Sequence, residues 1–138
     1  MPDALTCPLA VHVLNSPYPD LPLPAELRFD PDHPYEVCLA FPAPDPVAEE
    51  DDRSWYFGRD LLVEGCEAPA GQGDVQVAPA DEGRTVISLS GVDGTALICA
   101  STPRIEVFLR RSLALVPAGS EAGHLDLDTL LDRLLEAG

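Results

Sequence analysis

Between Trp55 and Pro79 the hydrophobic pattern changes period twice within one short stretch, and that change limits what the whole chain can fold into. Ser54-Trp-Tyr-Phe reads as a strand, residues 58–64 as two helical turns closed by Gly65, and Gly71-Gln-Gly73 as a turn. From Gly73 to Pro79 a new strand follows, with Val75 and Val77 on one face. Everything before this stretch reads as one sheet-forming half, and everything after it as strands followed by two helices. The expected class is α+β: one antiparallel, sheet-rich domain over residues 1–138, with a short central helix and two C-terminal helices.

The first half supports this with period-two alternation. Leu5–Leu14 places Leu9, Val11 and Val13 on one face, with Pro8 favouring an edge or a strand start. The proline-rich run from Ser16 to Pro24 is an extended connector. Ala25–Asp30 and Tyr35–Phe41 form a hairpin across Pro31-Asp-His-Pro34. Residues 42–53 combine prolines with four consecutive acids, Glu49 to Asp52, and are expected to form an exposed acidic loop.

In the second half Thr85–Ser90 and Thr95–Ala100 pair across Gly91-Val-Asp-Gly94. A helix then starts at Ser101-Thr102, with a capping hydroxyl and Pro103 in its first turn, and stops at Pro117. Ile105, Phe108, Leu109, Ser112, Leu113 and Val116 lie near one face of it. A second helix from Asp126 carries Leu127, Leu130, Leu131, Leu134 and Leu135 as a stripe that packs on the domain's own sheet or on a partner subunit.

Twenty-four acidic against eight basic residues give a net charge of −16, a field that repels phosphate backbones and anionic membrane surfaces. No apolar run is long enough to span a bilayer, and the N-terminus lacks a basic region followed by an apolar one, so the chain is expected in the cytoplasm. Cys7, Cys38, Cys66 and Cys99 lack metal-ligand spacing and are expected as buried free thiols, with Cys7, Cys38 and Cys99 in apolar runs. His12, His33 and His124 have no partner ligands at a usable spacing. The serines lack a nucleophile elbow, and Gly71-Gln-Gly73 precedes a strand rather than the helix a phosphate loop requires. No catalytic residue, cofactor or metal is expected. Arg59-Asp60 is either structural, with Asp60 suiting the helix start, or Arg59 is a partner-facing hot spot supported by Trp55.

Seven blocks resemble the SsgA-like proteins of sporulating actinobacteria. They are Pro24-Ala-Glu-Leu-Arg-Phe-Asp30, Asp32-His-Pro-Tyr-Glu-Val37, Trp55-Tyr-Phe-Gly-Arg-Asp-Leu-Leu62, Gly71-Gln-Gly-Asp-Val-Gln-Val77, Phe108-Leu-Arg-Arg111, Val116-Pro-Ala-Gly-Ser-Glu121 and Asp126-Leu-Asp128. Gly58 stands where that family's pattern has alanine, and Ser112 where it commonly has threonine. The resemblance implies a non-enzymatic regulator of sporulation-specific cell division that recruits the tubulin-like protein FtsZ to septum sites and meets other SsgA-like proteins. It also implies a trimer with a fold related in shape to the whirly single-strand-binding proteins. A whirly-like nucleic-acid-binding module is the alternative reading, and the net charge opposes it. The partner-facing residues expected are Trp55, Arg59, Leu127, Leu131 and Leu134.

Overall fold

The computed structural model describes residues 4–42 and 53–124. Antiparallel strands β1 (Leu5–Val13), β2 (Leu23–Phe29), β3 (Glu36–Phe41) and β4 (Arg53–Gly58) lead directly into helix α1 (Arg59–Gly65). The second half repeats the scheme, with β5 (Val75–Ala80), β6 (Arg84–Gly91) and β7 (Gly94–Ser101) running straight into α2 (Thr102–Leu115). A short 3₁₀ turn follows at Glu121–His124. The seven strands of the described residues form one sheet in the order β4-β3-β2-β1-β7-β6-β5.

Alternation dictates which face is covered. Leu9 and Val11, Leu27 and Phe29, Val37 and Leu39, Ile87 and Leu89, and Ile98 and Ala100 all point to one side, where α2 inserts Ile105, Phe108 and Leu109. The two runs of strands meet where β1 pairs with β7, through Val11↔Ala100, His12↔Cys99 and Val13↔Ile98. Asn15 lengthens this seam by imitating a peptide unit. Its Nδ2 donates to the Thr95 carbonyl at 2.6 Å, and its Oδ1 accepts from the Leu97 amide at 3.0 Å.

The sheet curls. Trp55 on β4 lies against Gly91 at the end of β6, with its ring edge 3.5 Å from where a β-carbon on that glycine would stand, although three strands separate β4 from β7 and β6 lies beyond that. Helix α1 fills the gap between the two edges by packing on β5. That approach requires glycine at position 65, because a methyl there would collide with the Val77 side chain and come within 3.0 Å of the Val77 carbonyl carbon.

Several details differ from the sequence reading. The α2 N-cap, Ser101, makes no side-chain capping bond. Thr102 instead places its Oγ1 2.7 Å from the buried Thr85 Oγ1, so that hydroxyl ties α2 to β6. Cys7 and Cys66 are half-buried, packed at the margin of the core, and not fully enclosed as Cys38 and Cys99 are. The expected loop over residues 42–53 falls almost wholly outside the described residues. The expected helix from Asp126, with Leu127, Leu131 and Leu134, falls outside them altogether.

Candidate functional site

Arg59 begins α1 and is 1% exposed. The chain reverses into the helix at Gly58, whose extended backbone (φ −65°, ψ 138°) turns the next side chain inward. The guanidinium lies 5.1 Å from the centre of the Phe29 ring on β2. Its Nη1 donates to the Ser112 carbonyl at 3.1 Å, and its Nη2 donates to Glu121 Oε1 at 3.0 Å. The other oxygen of Glu121 accepts the Gly119 amide at 2.8 Å. One planar fork therefore joins β2, α1, the C-terminal turn of α2 and the 3₁₀ turn beyond it, a geometry a lysine ammonium could not reproduce.

The ionised form of Glu121 is favoured. Its own backbone N–H holds the carboxyl below the usual carboxylate range, Arg59 and the Gly119 amide reinforce this, and partial burial opposes it. Ser112 is fully buried, and its hydroxyl donates back to the Leu109 carbonyl at 2.8 Å. The Ser112 carbonyl also accepts the Val116 amide that caps α2, so it remains satisfied from two directions.

Trp55 and Arg59 stand on consecutive elements, yet their side chains do different things. Trp55 is half-buried at the rim where the curled sheet closes, whereas Arg59 points into the interior. Asp60 is exposed in the first turn of α1. His12 is half-buried and His33 exposed, and no group of His, Cys, Asp and Glu among the described residues could hold a metal ion. Gly71 has φ +101°, and a β-carbon there would lie 2.6 Å from the Val75 carbonyl oxygen, so this glycine serves a close turn before β5. Cys66 is half-buried, and burial pushes its thiol up, away from nucleophilic character.

On the outer face the register aligns Thr6, Arg28, Cys38 and Tyr56 in one row across β1 to β4. Above it opens a recess of about 430 Å³, with Asp30, His33 and Glu36 at its margins. Arg28 in this row forks onto Glu26 at 2.8 and 3.0 Å. Tyr56 is the most exposed ring here at 66%, matched by Tyr18 at 71% in the β1–β2 connection. No helix among the described residues is long and apolar enough to cross a membrane.

Sequence reasoning did not find Glu121 as the partner of Arg59. The signal present was a charge flanked by Trp55-Tyr-Phe and Leu61-Leu62, which requires a counter-charge somewhere in the chain.

These features define a curled, seven-stranded antiparallel domain with helices on one face and an arginine fork clamping them, a fold that known proteins share. The family described as "Streptomyces sporulation and cell division protein, SsgA" matches residues 23–121. The sporulation-specific cell division protein SsgB of Streptomyces coelicolor is 39% identical over 98% of both chains. That of Kineococcus radiotolerans is 45% identical over 85% of this chain and 71% of its own. A solved structure described as "Mutations in SsgB correlate to longitudinal cell division during sporulation of Streptomyces coelicolor" superposes with a TM-score of 0.77 at 37% identity, covering 89% of this chain and 96% of that one. An SsgA-like sporulation-specific cell division protein from Thermobifida fusca superposes at 0.76 with 30% identity, covering 95% and 94%. The chain belongs to the SsgA family of sporulation and cell division proteins.

Proposed function

We propose that this chain is a non-enzymatic regulator of sporulation-specific cell division that brings FtsZ to septum sites through protein–protein contacts. The observation that carries the reading is the full-length similarity to a named sporulation-specific cell division protein, 39% identical over 98% of both chains. The placement of the charged side chains agrees with it. Arg59 and Glu121 are both engaged in holding the scaffold together, while Tyr18, Tyr35 and Tyr56 present aromatic rings to solvent, the residue type enriched at interface centres. Trp55 is proposed as a contact at the closing rim, with Arg59 positioning α1 beneath it. Leu127, Leu131 and Leu134 are proposed as contacts to another subunit.

The protein acts in the cytoplasm at the septum, assembles as a trimer and meets other SsgA-like chains. Co-sedimentation with FtsZ polymers tests recruitment: the chain is expected in the polymer pellet in proportion to FtsZ. A supernatant-only result at both low and near-physiological salt removes direct recruitment. Light scattering tests assembly separately, and a monomer mass at micromolar concentration refutes the trimer.

A further inference from the structure

All eight basic residues of this chain are arginines, set against 24 carboxylates. Arg59 is committed to Glu121 inside the domain, and Arg28 to Glu26 on the sheet. Three of the others lie on α2: Arg104, Arg110 and Arg111, all exposed. At 3.6 residues per turn, Arg104 and Arg111 share one flank two turns apart, and Arg110 lies on the opposite side of Val107. Val107 and Leu115, 37% and 38% exposed, add an apolar component to the same outward surface.

In a chain with three acids for every base, surface arginines ordinarily find carboxylates. Among the described residues Arg104 and Arg110 have no ion-pair partner, and Arg111 reaches only the Cys7 sulfur at 3.9 Å. Next to Arg104 the patch continues into a recess of about 270 Å³ lined by His12, Glu82, Arg84, Cys99 and Ser101. Glu106 is the one acid of this helix, so the outward surface of α2 carries three arginines against a single carboxylate in a chain of net charge −16.

We infer that this face of α2 docks an acidic polypeptide segment carrying apolar side chains, supplied by another protein. Guanidinium forks match carboxylates bidentately, and exposed Val107 and Leu115 match apolar side chains between those carboxylates. Electrostatic complementarity of this kind sets association rate and specificity. A polynucleotide fits less well, because three arginines neutralise few phosphates against the net repulsion, and the exposed side of α2 carries no aromatic ring for base stacking. This surface and its chemistry do not depend on which division protein the chain meets.

The test uses the full-length protein labelled for amide NMR and a synthetic helical peptide with Glu on one face and Leu on the other. Its counterpart with Lys in place of Glu is the control. Saturable shifts confined to residues 104–115 and the adjoining recess are expected with the acidic peptide alone. Arg104→Glu with Arg110→Glu is expected to weaken that binding about tenfold or more. The same pair of substitutions is expected to leave the unfolding temperature within about 3 °C, since neither side chain has an ion-pair partner among the described residues to lose.

Equal binding of the lysine peptide, or shifts located elsewhere, overturns the inference. So does a fall of more than about 5 °C in the double variant, which places this face against the chain itself. A change in its mass by light scattering assigns the face to a second copy, and loss of oligo-dT binding in the variant assigns it to nucleic acid; either result also overturns the inference. FtsZ co-sedimentation by the same variant separates this question from recruitment, because recruitment through another surface survives the charge reversal.

Discussion

Replacing Arg59 by methionine keeps most of the aliphatic stem and removes the charged fork. The fork makes one charge-assisted bond to the Ser112 carbonyl, one to Glu121 and a stacking contact on Phe29. Charge-assisted bonds contribute about 1.5–3 kcal/mol each, and a desolvated cation–π contact about 2 kcal/mol. Desolvating the guanidinium offsets part of that sum. The partners are not stripped bare by the substitution, because Ser112 keeps the Val116 amide and Glu121 keeps the Gly119 amide. The expected loss is therefore about 3 kcal/mol, the lower end of the range for breaking a buried pair from one side. For a domain of this size that is a fall of roughly 10–15 °C in unfolding temperature, read by circular dichroism at neutral pH. Arg59→Lys is expected to fall in between, since one ammonium cannot reach both acceptors with a planar fork. Combining Arg59→Met with Glu121→Leu is expected to recover part of the loss, because the carboxylate no longer faces an apolar replacement. A loss below about 1 kcal/mol for Arg59→Met, the size of a surface pair, would refute the latch.

Gly65→Ala is expected to destabilise by about 1–3 kcal/mol, since the added methyl meets Val77, whereas Gly58→Ala is expected to stay within about 0.5 kcal/mol because its nearest neighbour is 3.8 Å away. Equal urea midpoints for the two variants would show that α1 does not approach β5 this closely. The folded-state pKa of Glu121 is depressed, so its contribution is complete above the ordinary glutamate value near 4.3 and is lost as pH falls through the folded value. Glu121→Gln should therefore flatten the acid limb of stability against pH and lower the neutral plateau; an unchanged limb would mean another carboxylate controls it. Thiol labelling of the native protein should modify Cys7 first and Cys66 slowly, and reach Cys38 and Cys99 only on unfolding. Rapid native labelling of Cys38 would contradict its burial.

The strands were legible because a half-covered antiparallel sheet writes its covered face as alternate residues. Leu27 and Phe29, Val37 and Leu39, and Ile87 and Leu89 announce both their strands and their shared side. Helix α1 was legible for a different reason: Gly65 marks its end, although the glycine is also demanded by contact with Val77. The clamp was not legible. Arg59 and Glu121 are 62 residues apart, and no periodicity links an arginine at the start of one helix to an acid beyond the end of another. The same holds for Asn15, which reads as loop composition until Thr95 and Leu97 are placed beside it. Ser101 makes no capping bond, and the helix start is tied to β6 instead by Thr102, whose hydroxyl meets that of buried Thr85, a contact no local pattern announces. Two of the three arginines of α2 stood in the sequence within Phe108-Leu-Arg-Arg111, but only the fold shows which lack a carboxylate among the described residues.

The arginines divide into two tasks, and the first makes the second possible. The seam between the two strand runs rests on three residue pairs of β1 and β7 and the short extension at Leu14 and Asn15, too narrow alone to fix how α2 lies on the curled sheet. Thr102 fixes the start of α2 against β6, and the Arg59 fork fixes its end through the Ser112 carbonyl and Glu121. A helix held at both ends presents Arg104, Val107 and Arg111 in a set geometry, which reduces the entropy lost when a partner docks. Loosening the buried fork should therefore weaken acidic-peptide binding even though Arg59 never meets the peptide. That loss should appear at temperatures where Arg59→Met is still folded, and an unchanged affinity there would show that the clamp does not orient the α2 surface.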